Sequence, residues 1–378
     1  MNPTADRFLC SGHEWTPAGP RSEAVAVMMS GGVDSSVAAA MLRRAGRDVV
    51  GLTMQIPSAL GPDCGGAELR TCCESGAAEV ARQLGIAHYF VDVRPEFRRL
   101  VIDRFRDAYR SGLTPSPCID CNTFIKFDVL ARLAREVLGV GRVATGHYAR
   151  VVEACPESPG LFAGLDEQKD QSYFLYGIRR ATLPHILFPL GEQTKHETRR
   201  LAAAWGLAVG DRADSRELCF AGQGDYRAAL GSEPDAGPGD VLDVSGRVIG
   251  RHRGISSYTV GQREGLGIAA GVPLYVVRID PGANTITLGD RAASSSVLVC
   301  AHGVNILAPV ALEGAGRLSG KTRYRQVADP CSLAELGRDR LVVEFDQAQH
   351  GVTPGQHLVV YSPGGRVLGG GEIARGPA

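Results

Sequence analysis

Apolar runs and helical periodicity alternate along the first half of the chain. Ala24–Met29 is a continuous apolar run, which predicts a buried strand. Val37–Arg44 is rich in Ala and Leu and is closed by Gly46, which predicts a helix. Val49–Met54 predicts a second strand, Ala78–Leu84 a helix stopped by Gly85, and His88–Val91 a third strand. Phe97, Val101, Phe105 and Ala108 recur at helical spacing, as do Phe127, Leu130, Ala134 and Val137 before Gly139. Arg142–Thr145 predicts a fourth strand. This alternation implies an α/β fold, a parallel sheet with helices on both faces. Ligands of such sheets sit at the carboxyl ends of the strands, where Ser30, Met54, Asp92 and Gly146-His147 all fall.

The pattern changes near Asp211. Glu233–Asp240 reads as a Pro/Gly/Asp linker, and Val241–Ile249 as a hairpin about Ser245-Gly246. Gly261-Gln262-Arg263-Glu264-Gly265-Leu266-Gly267 is a glycine-rich loop. After Arg291 the pattern is all β, with Leu341–Phe345 and Leu358–Val367 as strand-forming runs and Pro363-Gly364-Gly365 as a turn. The expected organisation is a flexible leader over 1–22, an α/β domain over 23–215, a small central domain over 216–292 and a β-barrel-like domain over 293–378. No internal repeat is visible.

Composition adds bounds. The 378 residues carry 41 basic and 41 acidic side chains, so net charge gives no argument for nucleic acid, and any basic surface must come from local clustering. Met1–Pro20 lacks a basic start and an apolar core, unlike a signal peptide. No apolar run approaches a membrane span. A soluble cytoplasmic protein with no membrane partner is expected. Its ten cysteines are then expected to be reduced, catalytic or metal-binding.

Ser30-Gly31-Gly32-Val33-Asp34-Ser35-Ser36 lies between the first strand and the first helix. Two glycines let backbone N–H groups approach an anion, and a helix N-terminus adds its positive dipole end. The Walker form would need Lys before Ser/Thr, and it is absent here. The segment resembles the SGGxDS PP-loop of ATP pyrophosphatases, which split ATP between the α and β phosphates.

A second signal is Thr114-Pro115-Ser116-Pro117-Cys118-Ile119-Asp120-Cys121-Asn122, ahead of a helix expected to start near Phe124. Cys121 would sit near that helix start, where the dipole favours thiolate. A third cysteine closes Asp214-Ser215-Arg216-Glu217-Leu218-Cys219-Phe220. Alone, the CxxC pair is a redox pair, half a metal site or a coincidence. Cys72-Cys73 at a helix start reads as structural or incidental. Cys10, Cys64, Cys155, Cys300 and Cys331 lie in no motif.

Further motifs succeed one another in order: Ala144-Thr145-Gly146-His147-Tyr148, Lys169-Asp170-Gln171-Ser172-Tyr173-Phe174, Lys321-Thr322-Arg323-Tyr324-Arg325-Gln326 and Thr353-Pro354-Gly355-Gln356. Taken together from about Glu23 to Ile373, the series resembles the tRNA-uridine 2-sulfurtransferases, the bacterial tRNA-specific 2-thiouridylase family. The resemblance implies transfer of AMP from ATP to O2 of the wobble uridine (position 34), then replacement of that oxygen by sulfur. It implies ATP contacts at Met28, Met29, Ser30, Gly31, Gly32, Val33, Asp34, Ser35, Met54 and Gly146, with Asp34 on Mg²⁺. It implies Cys219 as the persulfide carrier, Cys121 as nucleophile, a disulfide between them in one version of the reaction, and a persulfide-carrying donor protein. tRNA contacts are implied at Ser116, Pro117, Cys118, His147, Lys169, Asp170, Gln171, Arg323, Tyr324 and Gln356. Some members carry Asp at the place of Cys118, and Asn at that of Ser116. Members with Cys have three thiols, so Cys118, Cys121 and Cys219 as ligands of a [4Fe–4S] cluster stay open as an alternative. Other rivals are a PP-loop ligase adenylating a small molecule and an iron–sulfur sensing module. Neither accounts for the whole motif series.

Overall fold

The computed structural model describes residues 4–12, 14–57, 72–155 (backbone only at 72–75), 157–209, 218–221, 229–230, 237–268, 271–314 and 316–375. The chain divides into two units: Met1–Leu100 with Cys118–Gln223, and Val101–Pro117 with Gly224–Ala378.

The strands of the first unit are β1 (Phe8–Cys10), β2 (Val25–Met28), β3 (Val49–Gln55), β4 (His88–Asp92), β5 (Arg142–Ala144), β6 (Ala149–Val152), β7 (Gly160–Ala163) and β8 (Ile186–Leu187). Among the described residues they form one sheet in the order β1-β4-β3-β2-β5-β8, with β6 and β7 as a separate hairpin. From β4 to β8 every pairing in that sheet is parallel. Every residue of β2 is buried, as expected of a strand covered on both faces. The strand order reverses beside β2, which has β3 on one side and β5 on the other. A crevice opens at such a switch point.

The helix Val33–Arg44 comes after β2 and packs against the helices Cys72–Leu84 and Lys195–Ala204. Ala38, Ala39, Ala40, Ala77, Ala81 and Ala202 share one core cluster with Val25, Val27 and Val37. Their small side chains let these elements approach closely while excluding water.

Two expectations for this unit need correction. The leader was expected to be flexible, yet Phe8–Cys10 adds antiparallel to β4 and covers that edge. Arg7 holds it in place through a bidentate pair with Glu96 at 2.7 and 2.9 Å and a bond to Asp92 O at 2.7 Å. Trp15 donates its backbone N–H to Tyr89 Oη and its indole N–H to Asp48. These aromatic and charged partners lie far apart in sequence, so local composition concealed them. The helix expected near Phe124 begins at Pro117 instead and continues to Leu138 through wider i→i+5 turns at Cys121–Leu130 and Ala134–Leu138. Proline suits a first helical turn, since its φ is preset and its missing N–H would have no partner there. Gly139, at φ 71°, ends the helix.

The second unit holds β9 (Gly239–Asp243), β10 (Val248–His252), β11 (Tyr275–Asp280) and β12 (Thr285–Gly289), in the order β10-β9-β12-β11. The hairpin about Ser245-Gly246 is present as β9–β10. Then come β13 (Ser295–Ile306), β14 (Leu318–Lys321), β15 (Asp329–Leu336), β16 (Arg340–His350), β17 (His357–Tyr361) and β18 (Val367–Ile373). These close into a barrel in the order β13-β16-β15-β14-β17-β18, every pair antiparallel. The β18 glycines permit closure on β13. A Cβ at Gly369 would lie 2.7 Å from Asn305 O, and one at Gly371 2.6 Å from His302 O.

Among the described residues no helix is long and apolar enough to cross a membrane. Asp211, Glu217 and Glu233–Ala236, where the composition changes, lie outside the described residues, as does Cys64. The helix expected over 78–84 begins at Cys72.

The leader's anchoring is testable. Arg7→Ala removes a partly buried, bidentate ion pair and should cost about 1 kcal/mol. Thermal melting should show a lower midpoint, and trypsin should cut near Arg21 faster than in wild type. Unchanged cleavage would show that Arg7 does not hold the leader.

Candidate active site

β2 ends at Met28, and Ser30-Gly31-Gly32 turns the chain into the helix Val33–Arg44. Gly31 has φ 72°, where an L side chain is strained. Among the described residues no side chain caps this helix start. Its leading amides and positive dipole end are therefore suited to an anion. The serines brace the turn internally. Ser30 N donates to Ser35 Oγ at 3.1 Å, while Ser35 Oγ and Ser36 Oγ lie 3.2 and 2.9 Å from Gly32 O. Met28 and Met29 are buried, and Met29 has both backbone groups engaged, N with Leu52 O and O with Thr53 Oγ1, each at 2.7 Å. Met54 is half-buried near the end of β3.

Gly146 lies just beyond β5 and meets this turn directly. A Cβ there would lie 2.6 Å from both Asp34 C and Ser35 N. Two residues on, Tyr148 Oη donates its proton to Asp34 Oδ1 at 3.0 Å and lies 3.0 Å from Thr198 Oγ1. Desolvation, then the Asp34 charge, push the Tyr148 hydroxyl pKa up, so it remains a donor. Lys195 Nζ lies 2.6 and 2.8 Å from the two Asp34 oxygens. Its side chain is 11% exposed against 33% for Asp34. Lys195 heads a helix with a Thr194/Glu197 capping box, and Lys195 N donates to Asp166 Oδ2 at 2.8 Å. Sequence reasoning passed over Lys195, Tyr148 and Thr198. Thr194-Lys195-His196-Glu197 was the available signal, since Thr with Glu three residues later marks a helix start.

Asp170 and Gln171 support the same region from within. Asp170 is buried, and its carboxylate accepts from Gly164 N, Ser172 N and Ser172 Oγ at 3.0–3.1 Å. Gln171 Oε1 accepts from Tyr148 N at 3.1 Å, and Gln171 N donates to Tyr148 O at 2.9 Å. Lys169 is half-buried in a turn whose amides bond Asp166. His147 is half-buried beside Phe127 and Phe188, with Nδ1 2.7 Å from Thr145 Oγ1. Desolvation, aided by the Lys126 charge, holds the imidazole well below its ordinary pKa, so it is neutral at physiological pH.

Cys118, Cys121 and Cys219 are free thiols. Cys118 and Cys219 retain accessible surface, while Cys121 is buried. Cys219 sits in a turn anchored by Phe220, which packs edge-on against Phe97. The expected dipole-favoured thiolate at Cys121 is corrected here. Cys121 lies a full turn inside the helix, and desolvation pushes its thiol up to about 11. Desolvation and then the neighbouring Cys121 and Cys118 push Cys219 up to about 12. Cys118 is raised for the same first reason. Lys126 opposes the rise at all three. Its Nζ donates to Asn122 Oδ1 at 2.9 Å, and Asn122 Nδ2 to Phe174 O at 3.1 Å. Lys126 is a further residue that sequence reasoning missed. The Asp214–Glu217 part of the Cys219 motif lies outside the described residues.

In the second unit, Arg323 is exposed and Tyr324 half-buried on the loop between β14 and β15. Gln326 folds that loop, its Oε1 accepting from Thr322 N and Oγ1 at 2.9 Å and its Nε2 donating to Asp329 and Gln349. Gln356 Nε2 donates to Thr114 O at 2.8 Å, and Ser116 is half-buried shortly after on that same segment.

Three family models cover the chain: a tRNA methyl transferase HUP domain over residues 23–223, a tRNA methyl transferase PRC-barrel domain over 229–290, and an aminomethyltransferase beta-barrel domain over 298–373. The chain is 42% identical to the tRNA-specific 2-thiouridylase MnmA of Microcystis aeruginosa over 356 residues, covering 93% of this chain and 98% of the relative. It is 44% identical to the same-named protein of Xanthobacter autotrophicus, covering 95% of each. This chain belongs to the tRNA-specific 2-thiouridylase family. Among solved structures, NMN synthetase from Francisella tularensis aligns over 56% of this chain and 69% of that one, at 18% identity and a TM-score of 0.32.

Family membership raises the question of metals. Asp34 is a partly exposed carboxylate beside the cradle, and Mg²⁺ takes one or two carboxylates together with substrate phosphates, so the donor fits. Among the described residues no group of three or more His, Cys, Asp or Glu is arranged to hold a metal. As placed, Cys118, Cys121 and Cys219 do not form the ligand set of a [4Fe–4S] cluster.

This geometry has two measurable outcomes. Gly146→Ala drives a methyl into the turn at Asp34–Ser35 and should weaken ATP binding about tenfold or more, measured by calorimetry. In the ligand-free protein, iodoacetamide labelling of Cys121 should gain about tenfold per pH unit from pH 8 toward 11. Lys126→Met should slow it about threefold at fixed pH, since losing the cation raises the thiol pKa further. Folding raises these pKa values, so their contribution to stability is complete below about 8.5 and is lost as pH rises toward 11.

Proposed function

We propose that this chain catalyses ATP-dependent 2-thiolation of the wobble uridine of tRNA. The observation that carries the reading is the presence, in one unit, of an uncapped strand–turn–helix beside the Lys195–Asp34 pair and of three free thiols around Lys126. The first feature suits activation by ATP, the second suits sulfur transfer.

A uridine carbonyl oxygen is a poor leaving group. In the proposed first step O2 attacks the α-phosphorus of ATP, pyrophosphate departs, and AMP is left on O2. The amides at Gly32–Asp34 hold phosphate oxygens. Lys195 exchanges its contact with Asp34 for one with the departing pyrophosphate, which frees Asp34 for Mg²⁺. That ion, when bound, neutralises phosphate charge. Tyr148 and Thr198 keep Asp34 oriented throughout. Gly146 and Met54 face the nucleotide from the ends of β5 and β3.

Sulfur then arrives from a persulfide on Cys219, loaded by a donor protein. Either the terminal sulfur attacks C2, AMP leaves with the oxygen, and Cys121 then attacks Cys219 Sγ to break the S–S bond and free 2-thiouridine, or Cys121 attacks Cys219 Sγ first and releases hydrosulfide as the nucleophile; both routes leave a Cys121–Cys219 disulfide. Both routes require an anionic sulfur. In the ligand-free protein desolvation keeps these thiols protonated, and Lys126 is the cation placed to stabilise the anion once it forms. Neutral His147 and Cys118 meet the target base. Arg323 and Tyr324 contact the anticodon loop by phosphate pairing and stacking. Lys169 reaches RNA from the turn that Asp170 and Gln171 hold. The enzyme works in the cytoplasm.

The family models carry methyl-transfer descriptions, which makes tRNA methylation a second reading. It has no use for an ATP-type anion cradle or for three clustered thiols, which favours thiolation.

The test is direct. Protein purified without oxygen is incubated with unmodified tRNA, ATP, Mg²⁺ and a persulfide-charged sulfur-donor protein, and the digested tRNA is analysed by mass spectrometry. 2-Thiouridine should form in wild type and be lost in Cys121→Ser and Cys219→Ser. Lys195→Met should cut tRNA-dependent pyrophosphate release about a hundredfold. Folded wild type that binds ATP yet makes no 2-thiouridine would refute the reading.

A further inference from the structure

Leu113–Pro117 leads directly to Cys118 and belongs to the second unit. Proline at 115 and 117 removes two backbone donors, so this segment cannot pair as an ordinary strand, and its carbonyls need donors from elsewhere. The loop Thr353-Pro354-Gly355-Gln356, which precedes β17 in the same unit, supplies them. Thr114 N donates to Pro354 O at 2.9 Å. Gln356 Nε2 donates to Thr114 O at 2.8 Å and reaches Pro115 O at 3.4 Å.

The loop itself is firmly held. Gln356 N donates to Thr353 O at 3.1 Å, and Gln356 O accepts from Ile373 N at 2.7 Å. Thr353 Oγ1 donates to Val260 O at 3.0 Å. At Gly355, φ 87°, a Cβ would lie 2.9 Å from both Leu113 Cβ and Thr114 N, so glycine permits the close approach. A donor with two hydrogens on one nitrogen matches two successive carbonyls. Glutamate, of equal length, has no such donor when ionised.

We propose that Gln356 is a positioning residue for sulfur transfer: with the Pro354 carbonyl it clamps Thr114–Pro115 and fixes how the chain delivers Ser116, Pro117 and Cys118. The link to sulfur transfer rests on the thiolation function proposed above, whereas the clamp stands on its own geometry. A tRNA contact through Oε1 of Gln356 is compatible with it.

The experiment uses full-length Gln356→Glu and the uncharged, similarly long Gln356→Met. In the absence of tRNA and ATP, hydrogen–deuterium exchange is monitored over residues 111–121, together with iodoacetamide labelling of Cys118. Both should rise about fivefold, the effect of losing one hydrogen bond, while peptides from β2 and β3 exchange as in wild type. With substrates added, kcat for thiolation should fall while KM for tRNA stays within about twofold. Unchanged exchange and labelling in both variants would overturn the clamp, whatever the activity. A raised KM with unchanged kcat would overturn the positioning role and make Gln356 an RNA contact alone. If the clamp signals appear but wild type makes no 2-thiouridine, the clamp is supported and the thiolation reading is what fails.

Discussion

Position 146 must lack a side chain for the end of β5 to meet the start of the helix after β2, because a single added carbon would lie 2.6 Å from Asp34 and Ser35 backbone atoms. That approach sets the depth of the crevice at the switch point of the sheet. It also places the next stretch of chain. Tyr148 arrives two residues later at hydrogen-bond distance from Asp34, and Gln171 grips Tyr148 through both its backbone groups. Asp166 then ties the neighbouring turn to the first amide of the helix carrying Lys195. The carboxylate beside the cradle is thus oriented by a chain of contacts that begins with a glycine.

The cysteines are governed by a different balance. Removing a thiolate from water is costly, and at Cys121 and Cys219 that cost exceeds the favourable field of Lys126. A protonated thiol resists alkylation and oxidation, so the resting state protects these sulfurs. Lys126 cannot overcome desolvation alone, but it lowers the cost of any event that creates the anion. Asn122 holds the ammonium one helical turn along from itself and is in turn fixed to the Phe174 carbonyl.

Much of the fold was legible because it depends on local periodicity. Buried parallel strands such as Val25–Met28 read as apolar runs, and glycines at 46, 85 and 139 marked where helices stop. The glycine-serine turn and the CxxC segment announced themselves by spacing. Concealed features depend on partners distant in sequence. Phe8–Cys10 is a strand because β4 offers an open edge, and Pro117 rather than Phe124 begins a helix because an acceptable first turn outweighs the expectation that prolines make a loop. Lys195 lies 161 residues from Asp34, so nothing local tied the two together. Desolvation at Cys121 is a property of what surrounds it, and reading the helix dipole alone gave the wrong sign. Asp170, Gln171 and Gln356 looked like RNA contacts in their motifs. The bonds their side chains make within the protein came into view only with the fold.

β1 also has a consequence for solubility. A sheet edge with unpaired backbone groups is a template for any extended peptide, including the same edge of another molecule. Here Phe8–Cys10 occupies the backbone of Tyr89–Val91. A shortened chain starting near Ala24 would keep the ATP cradle and the cysteines but bare that edge along a β-branched and aromatic strand. Such a truncation invites self-association, and an added N-terminal tag should be joined ahead of Phe8 by a linker too polar to compete for the same groove.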